Sequence, residues 1–220
     1  NGFRSGGPDF NLAFVDNYGN IKNVDFPFNK DEMKYFFGRS MIFSNFRDTL
    51  LLSPLLNDTI YYISKDSLIR KYYIDYGEFK YPVSLAKNKN AQQVNKELVD
   101  GNYISTWGCF ESENYLYVRI AKSYAYNFEL FYSKKTKNSK ISYSPRQDVP
   151  GSIAYCIIEG NVGDVFYGTL ESDLFLAIAD LVKKEGVEEL NKMEPMAKKL
   201  FLEHKDADNP IIVFYRMKNF

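Results

Sequence analysis

The sequence predicts an all-β fold built of four-stranded antiparallel meanders, with a helical insert near the C-terminal end. Three observations carry that expectation. Two sets of four strand-length runs follow one another, within 41–76 and 103–143, each divided by short turn-like segments. Eighteen Tyr and eighteen Phe stand among 220 residues, and aromatic side chains favour pleated, half-buried surfaces. Near the end, Asp208-Asn209-Pro210 delivers the chain into Ile211-Ile212-Val213-Phe214-Tyr215. That run is too short for a helix and apolar on both faces, so it is expected to be a late strand with neighbours above and below.

Taken in order, residues 10–16 and 21–26 flank Asn17-Tyr18-Gly19-Asn20, a tight turn with a glycine available for positive φ, and so form a hairpin. The first full meander has strands at 41–46, 49–53, 59–64 and 69–76. A polar stretch follows, in which 91–99 suits a short helix with Val94 and Leu98 on one face. The second meander has strands at 103–110, 114–121, 125–133 and 139–143, so two units of matching layout make an internal repeat. A third unit opens with strands at 152–158 and 164–170 around Gly160-Asn161-Val162-Gly163. The insert at 172–204 then intervenes. Ser172 is placed to cap its first helix and Gly186 to end it, and Pro195 should break or restart the second.

Composition excludes several classes of function. Twenty-eight basic and twenty-eight acidic residues cancel, so no global field gathers nucleic acid or an anionic membrane. One His and two Cys leave too few ligands for a His/Cys metal cage. Cys109 and Cys156 lie in separate strand-like segments and are expected as two small buried residues, with a bridge between them as the alternative. No apolar run reaches the roughly 18 residues of a membrane helix. The chain starts without Met or a signal peptide, as expected of a processed protein or of the ordered part of a longer one.

Half a unit, two full units and most of a third fit the blades of a β-propeller, and a sandwich of meanders is the structural rival. A family resemblance favours the propeller. Asn57-Asp58-Thr59-Ile60-Tyr61, then Arg70-Lys71-Tyr72-Tyr73-Ile74-Asp75-Tyr76-Gly77, resembles a segment of six-bladed β-propeller proteins abundant in gut bacteria, long grouped as domains of unknown function. The close at 208–215 is similar to that family's ending, and Asp148-Val149-Pro150-Gly151 sits where it often carries an Asp-Gly turn. The resemblance implies an exported protein of the periplasm or cell surface, often a lipoprotein. Six blades of roughly 40–45 residues need on the order of 250. The chain is therefore expected to be one partial propeller domain, 1–220, holding the C-terminal three and a half blades. The missing part would then be on another chain, disordered, or replaced by self-association.

No catalytic signature emerges. There is no Gly-x-Ser-x-Gly elbow, and His204 falls at a helix end, where it suits the C-terminal dipole better than a triad. Glu111 and Glu113 flank one turn and Glu159 and Asp164 another, where acids are usually solvated rather than paired for glycoside hydrolysis. Asp16, Asn17, Asp148 and Asn161 are of the type that holds a hard cation, but form no spaced ligand loop. Lys134-Lys135-Thr136-Lys137 suits a solvated hairpin tip.

Binding is the expected role, because loops on a rigid scaffold carry recognition. Trp107, with Arg119, Tyr124 and Tyr126 in the same meander, is the candidate stacking surface for a carbohydrate or peptide, against the plainer alternative that Trp107 is core. The leading expectation is a non-enzymatic binding or scaffolding module without cofactor. The alternative is a calcium-dependent hydrolase, lactonase- or esterase-like, with its site in the propeller funnel. A structural role, with the insert docking a second protein, is the third reading.

Overall fold

A computed structural model describes residues 10–27, 41–54, 57–86, 89–122, 127–142, 157–185, 191, 195–203, 205, 209–218 and 220. The chain is mostly β-strand in antiparallel sheets with few helices, and it divides into two compact units.

The first unit lies within residues 1–111, 116–132 and 139–143. It opens on a hairpin of β1 (Phe10–Val15) and β2 (Ile21–Pro27). Asp16 shapes the turn, its carboxylate accepting the backbone N–H groups of Tyr18 and Asn20, each at 2.9 Å. These donors, the Asn20 backbone above all, hold its pKa below the usual aspartate value.

A four-stranded meander follows: β3 (Met41–Phe46), β4 (Thr49–Pro54), β5 (Thr59–Ser64) and β6 (Ser67–Tyr73). Two-residue turns at Arg47-Asp48 and Lys65-Asp66 join β3 to β4 and β5 to β6. Arg47 and Lys65 take φ of 52° and 54°, as primed hairpin turns require. Helix α1 (Ala91–Asp100) carries a reciprocal capping box between Asn90 and Gln93, and Val94 and Leu98 are buried on one face as the periodicity predicts.

The second meander is β7 (Ser105–Glu111), β8 (Tyr115–Ala121), β9 (Asn127–Ser133) and β10 (Ser139–Ser142), in sheet order β10-β9-β8-β7. Both sets of four strands thus stand where the hydrophobic runs place them.

The two four-stranded sheets share a core. Leu51 and Ile60 from the first meet Cys109, Leu116, Val118 and Ile120 from the second, all buried. Alternation along β8 sends Leu116, Val118 and Ile120 into that core and Tyr117 and Arg119 to the opposite face. A polar clasp reinforces it. The Glu111 carboxylate accepts the hydroxyl of Tyr62 at 2.7 Å and that of Tyr72 at 2.6 Å, one on each oxygen. Burial, with the neighbouring carboxylate adding to it, pushes both phenol pKa values well above their ordinary range.

Here the structure corrects the expectation of a solvated turn acid. Glu111 ends β7 and is only 1% exposed. Local sequence places it beside a turn, but its partners lie 49 and 39 residues away.

The second unit lies within residues 112–115, 133–138 and 144–220. Its sheet runs β11 (Gly160–Val162), β12 (Val165–Leu170) and β13 (Ile211–Arg216), with α2 (Ser172–Glu185) and α3 (Pro195–Glu203) inserted between β12 and β13. Pro195 starts α3, where its missing N–H costs nothing.

Three expectations need correction in this unit. The anticipated turn at 160–163 is mostly strand, and the chain reverses at Gly163-Asp164, with Gly163 at φ 56°. Ser172 is the first residue of α2 rather than its cap, and the Glu171 carbonyl accepts the Phe175 N–H. Among the described residues β13 pairs with β12 alone. Its Ile212 and Phe214 are 57% and 63% exposed, whereas Tyr215 is buried beside Phe166. A five-residue apolar run therefore has one dry face, because only alternate residues point inward.

Removing the Tyr72 hydroxyl (Tyr72→Phe) is expected to cost about 2 kcal/mol in urea unfolding, the range of a hydrogen bond to a charged acceptor. Glu111→Ala should cost more, about 3 kcal/mol, because it strands two phenols. The double variant should cost less than the sum. Additive losses would mean that the clasp is incidental.

Candidate functional site

The face of the β7–β10 sheet that carries Tyr117 and Arg119 differs from the core face in chemistry. Pairing between β7 and β8 runs Thr106↔Ile120 and then Gly108↔Arg119, so Trp107 is the extra residue of a β-bulge. A bulge re-aims the side chain it carries. The half-buried indole lies beside the Arg119 guanidinium, whose central carbon is 5.7 Å from the ring centroid, within cation–π range. The indole N–H donates to Ser105 Oγ at 3.1 Å. Arg119 Nε is buried and has no hydrogen-bond partner among the described residues.

Two of the four candidate residues are therefore brought together. The other two, Tyr124 and Tyr126, lie outside the described residues, as do Asp148, Cys156, Gly186 and His204.

Sequence reasoning missed Glu129. It sits on β9, is 0% exposed and belongs to the same polar neighbourhood as Arg119. Burial pushes its pKa from 4.5 up to about 7, against the pull of the Tyr117 hydroxyl and the Arg119 charge. A carboxyl in this environment is poised near neutrality, a property associated with functional sites. The signal was a lone acid within the apolar run Asn127-Phe128-Glu129-Leu130-Phe131. Tyr117 stacks on Phe110 and meets Phe131 at 5.3 Å, so the acid lies among rings.

Asp16, Asn161, Glu159 and Asp164 have local employment. Asp16 serves its own turn, and Asn161 donates its amide to the Gly163 carbonyl at 2.9 Å. Glu159 accepts the Thr169 hydroxyl at 2.7 Å. Asp164 accepts the Asn114 backbone N–H at 3.0 Å and its side-chain amide on the other oxygen. Cys109 is a free, buried thiol facing Ser44 and Ser53, and burial drives its pKa up to about 12. Among the described residues no helix is long and apolar enough to cross a membrane.

The model of the domain of unknown function DUF4934 matches residues 1–216. The chain belongs to the DUF4934 family. No curated protein matches it. The DUF4934 chain is also similar to a crystal structure, at 2.60 Å, of a protein from Bacteroides fragilis NCTC 9343 described as exported. The TM-score is 0.73 at 19% identity, with 96% of this chain and 58% of that one covered. A likeness at that identity speaks to fold alone. The DUF4934 chain spans little more than half the length of that structure.

Glu129 makes the stability of this DUF4934 chain depend on pH in a direction that can be checked. Its folded pKa lies above the unfolded one, so its contribution is complete below about pH 4.5 and is lost as pH rises through about 7. Between pH 5 and 8 the wild type should lose on the order of 3 kcal/mol relative to Glu129→Gln. Urea titrations of both proteins across that range measure it, and parallel pH profiles would show that the carboxyl is not strained.

Proposed function

We propose that this chain is part of a β-propeller that works outside the cytoplasm as a binding or scaffolding module, with a carbohydrate, or failing that a peptide, as its ligand. Each four-stranded meander is one blade. The three-stranded sheet and the β1–β2 hairpin are portions of two more, in a ring of six that a longer chain would complete. Support comes from the repeated four-strand layout, the shared core of consecutive sheets, and a structural relative described as exported. A lipoprotein anchor, as the family resemblance implies, would hold it at the envelope.

The observation that carries the binding reading is the Trp107–Arg119 pair. A bulge lifts a half-buried indole over a guanidinium whose Nε is unspent among the described residues. An indole face offers stacking to the apolar side of a sugar ring, while a guanidinium supplies donors to its hydroxyls. Tyr124 and Tyr126, between β8 and β9 in sequence, are the further candidate residues.

Glycan and peptide arrays probed with the full-length mature protein test the proposal. Saccharide binding that falls at least tenfold in Trp107→Ala, roughly 1.4 kcal/mol, with melting temperature retained, is the expected outcome. Unchanged binding in that variant would move the site elsewhere. Stabilisation by calcium together with ester or lactone hydrolysis would favour the alternative, a calcium-dependent hydrolase.

A further inference from the structure

The second unit contains a cleft that the Trp107–Arg119 surface does not use. Three hairpin turns converge on it: Asn114 and Tyr115 from the β7–β8 turn, Ser133, Lys135 and Thr136 from the β9–β10 turn, and Asp164 from the β11–β12 turn. Arg216 and Met217, at the end of β13, complete the wall around about 390 Å³.

The frame is braced from several sides. Lys134 donates its ammonium to the Ser112 carbonyl at 2.5 Å and its backbone N–H to the Asn114 carbonyl at 2.8 Å. Asn114 binds both oxygens of Asp164. Thr136 donates its hydroxyl to the Phe220 carbonyl at 2.7 Å, and the Phe220 ring lies 5.8 Å from that of Tyr115. The tip expected as a bare solvated turn therefore forms one side of a built recess.

The polar groups of this recess are unequal in charge and in occupancy. Lys135 and Arg216 both line it, and neither has an ion-pair or hydrogen-bond partner among the described residues. Among the described residues Asp164 is the one acid of the lining, and its charge is already met by Asn114 and the nearby Lys134. The recess is thus net cationic while retaining a carboxylate acceptor.

That combination discriminates among anions. A phosphate monoester dianion has no hydroxyl on phosphorus to donate to Asp164. A ligand with a single carboxylate and several hydroxyls satisfies both sides: the carboxylate takes the two cations, and hydroxyl donors take Asp164. Ser133, Thr136 and Asn114 add neutral partners, and Met217 and Tyr115 add a small apolar wall. The space suits one or two sugar rings, at the lower end of small-molecule sites.

We propose that this cleft binds an acidic saccharide through its uronic acid carboxylate, held by Lys135 and Arg216, with ring hydroxyls donating to Asp164. The site shares no residue with the Trp107–Arg119 surface and does not rest on the binding role assigned to it.

Calorimetric titration of the full-length protein with a galacturonic acid trisaccharide and with the neutral galactose trisaccharide tests it. The acidic sugar should bind at least tenfold more tightly, and more weakly at high salt. Arg216→Ala and Lys135→Ala should each lower that affinity about tenfold with melting temperature unchanged, since both side chains are exposed. Trp107→Ala should leave it intact, which separates this site from the other surface. Equal binding of the two sugars, no binding of either, or wild-type affinity in Arg216→Ala would overturn the proposal. A peptide whose C-terminal carboxylate bound more tightly than the saccharide would do the same.

Discussion

A carboxylate placed where water cannot reach it must be answered by donors, and Glu111 is answered by two phenols from another sheet. Leaving a buried charge unpaired costs several kcal/mol, so strands β5, β6 and β7 are held in one relative register by that requirement. The hydrophobic contacts around it are larger in sum but indifferent to small slides. The clasp is directional, and it selects one arrangement of the two meanders from among those that would bury Leu51, Ile60 and Val118 about equally well. Nearby, the buried Tyr76 hydroxyl meets Thr106 at 2.5 Å, adding a second directional tie between the same segments.

With one face of the β7–β10 sheet committed to that core, the strict two-residue period of a strand delivers every other side chain to the opposite face. This is why Tyr117, Arg119 and Glu129 belong together although no motif in the sequence joins them. Trp107 reaches the same group only because the bulge inserts one residue and changes the phase of β7. A single irregularity in an otherwise regular ladder thus decides which side of the sheet the lone tryptophan serves.

Much of the fold was legible in the sequence, since short apolar and aromatic runs divided by turn residues report strands directly. Eight strands of the two meanders and helix α1 lie where that pattern puts them. What escaped was non-local. Glu111 reads as a turn acid until Tyr62 and Tyr72 are brought beside it, and Glu129 reads as an interruption of an apolar run. The Ile211–Tyr215 run suggests burial on both faces, but burial depends on which neighbours a sheet acquires rather than on the strand's own residues. Gly160-Asn161-Val162-Gly163 offers two glycines for one reversal, and pairing with β12 chose the second. Of the candidate site, Trp107 and Arg119 were visible as residue types in one meander. The cleft was not, because its walls come from turns far apart along the chain.

Cys109 carries a consequence for where such a chain can operate. Thiolates, not thiols, react with oxidants and disulfides. This sulfur, walled in by Ser44, Ser53 and the shared core, is neither ionised at neutral pH nor reachable. The folded first unit, whose one cysteine this is, accordingly offers no reactive thiol in either a reducing or an oxidising compartment.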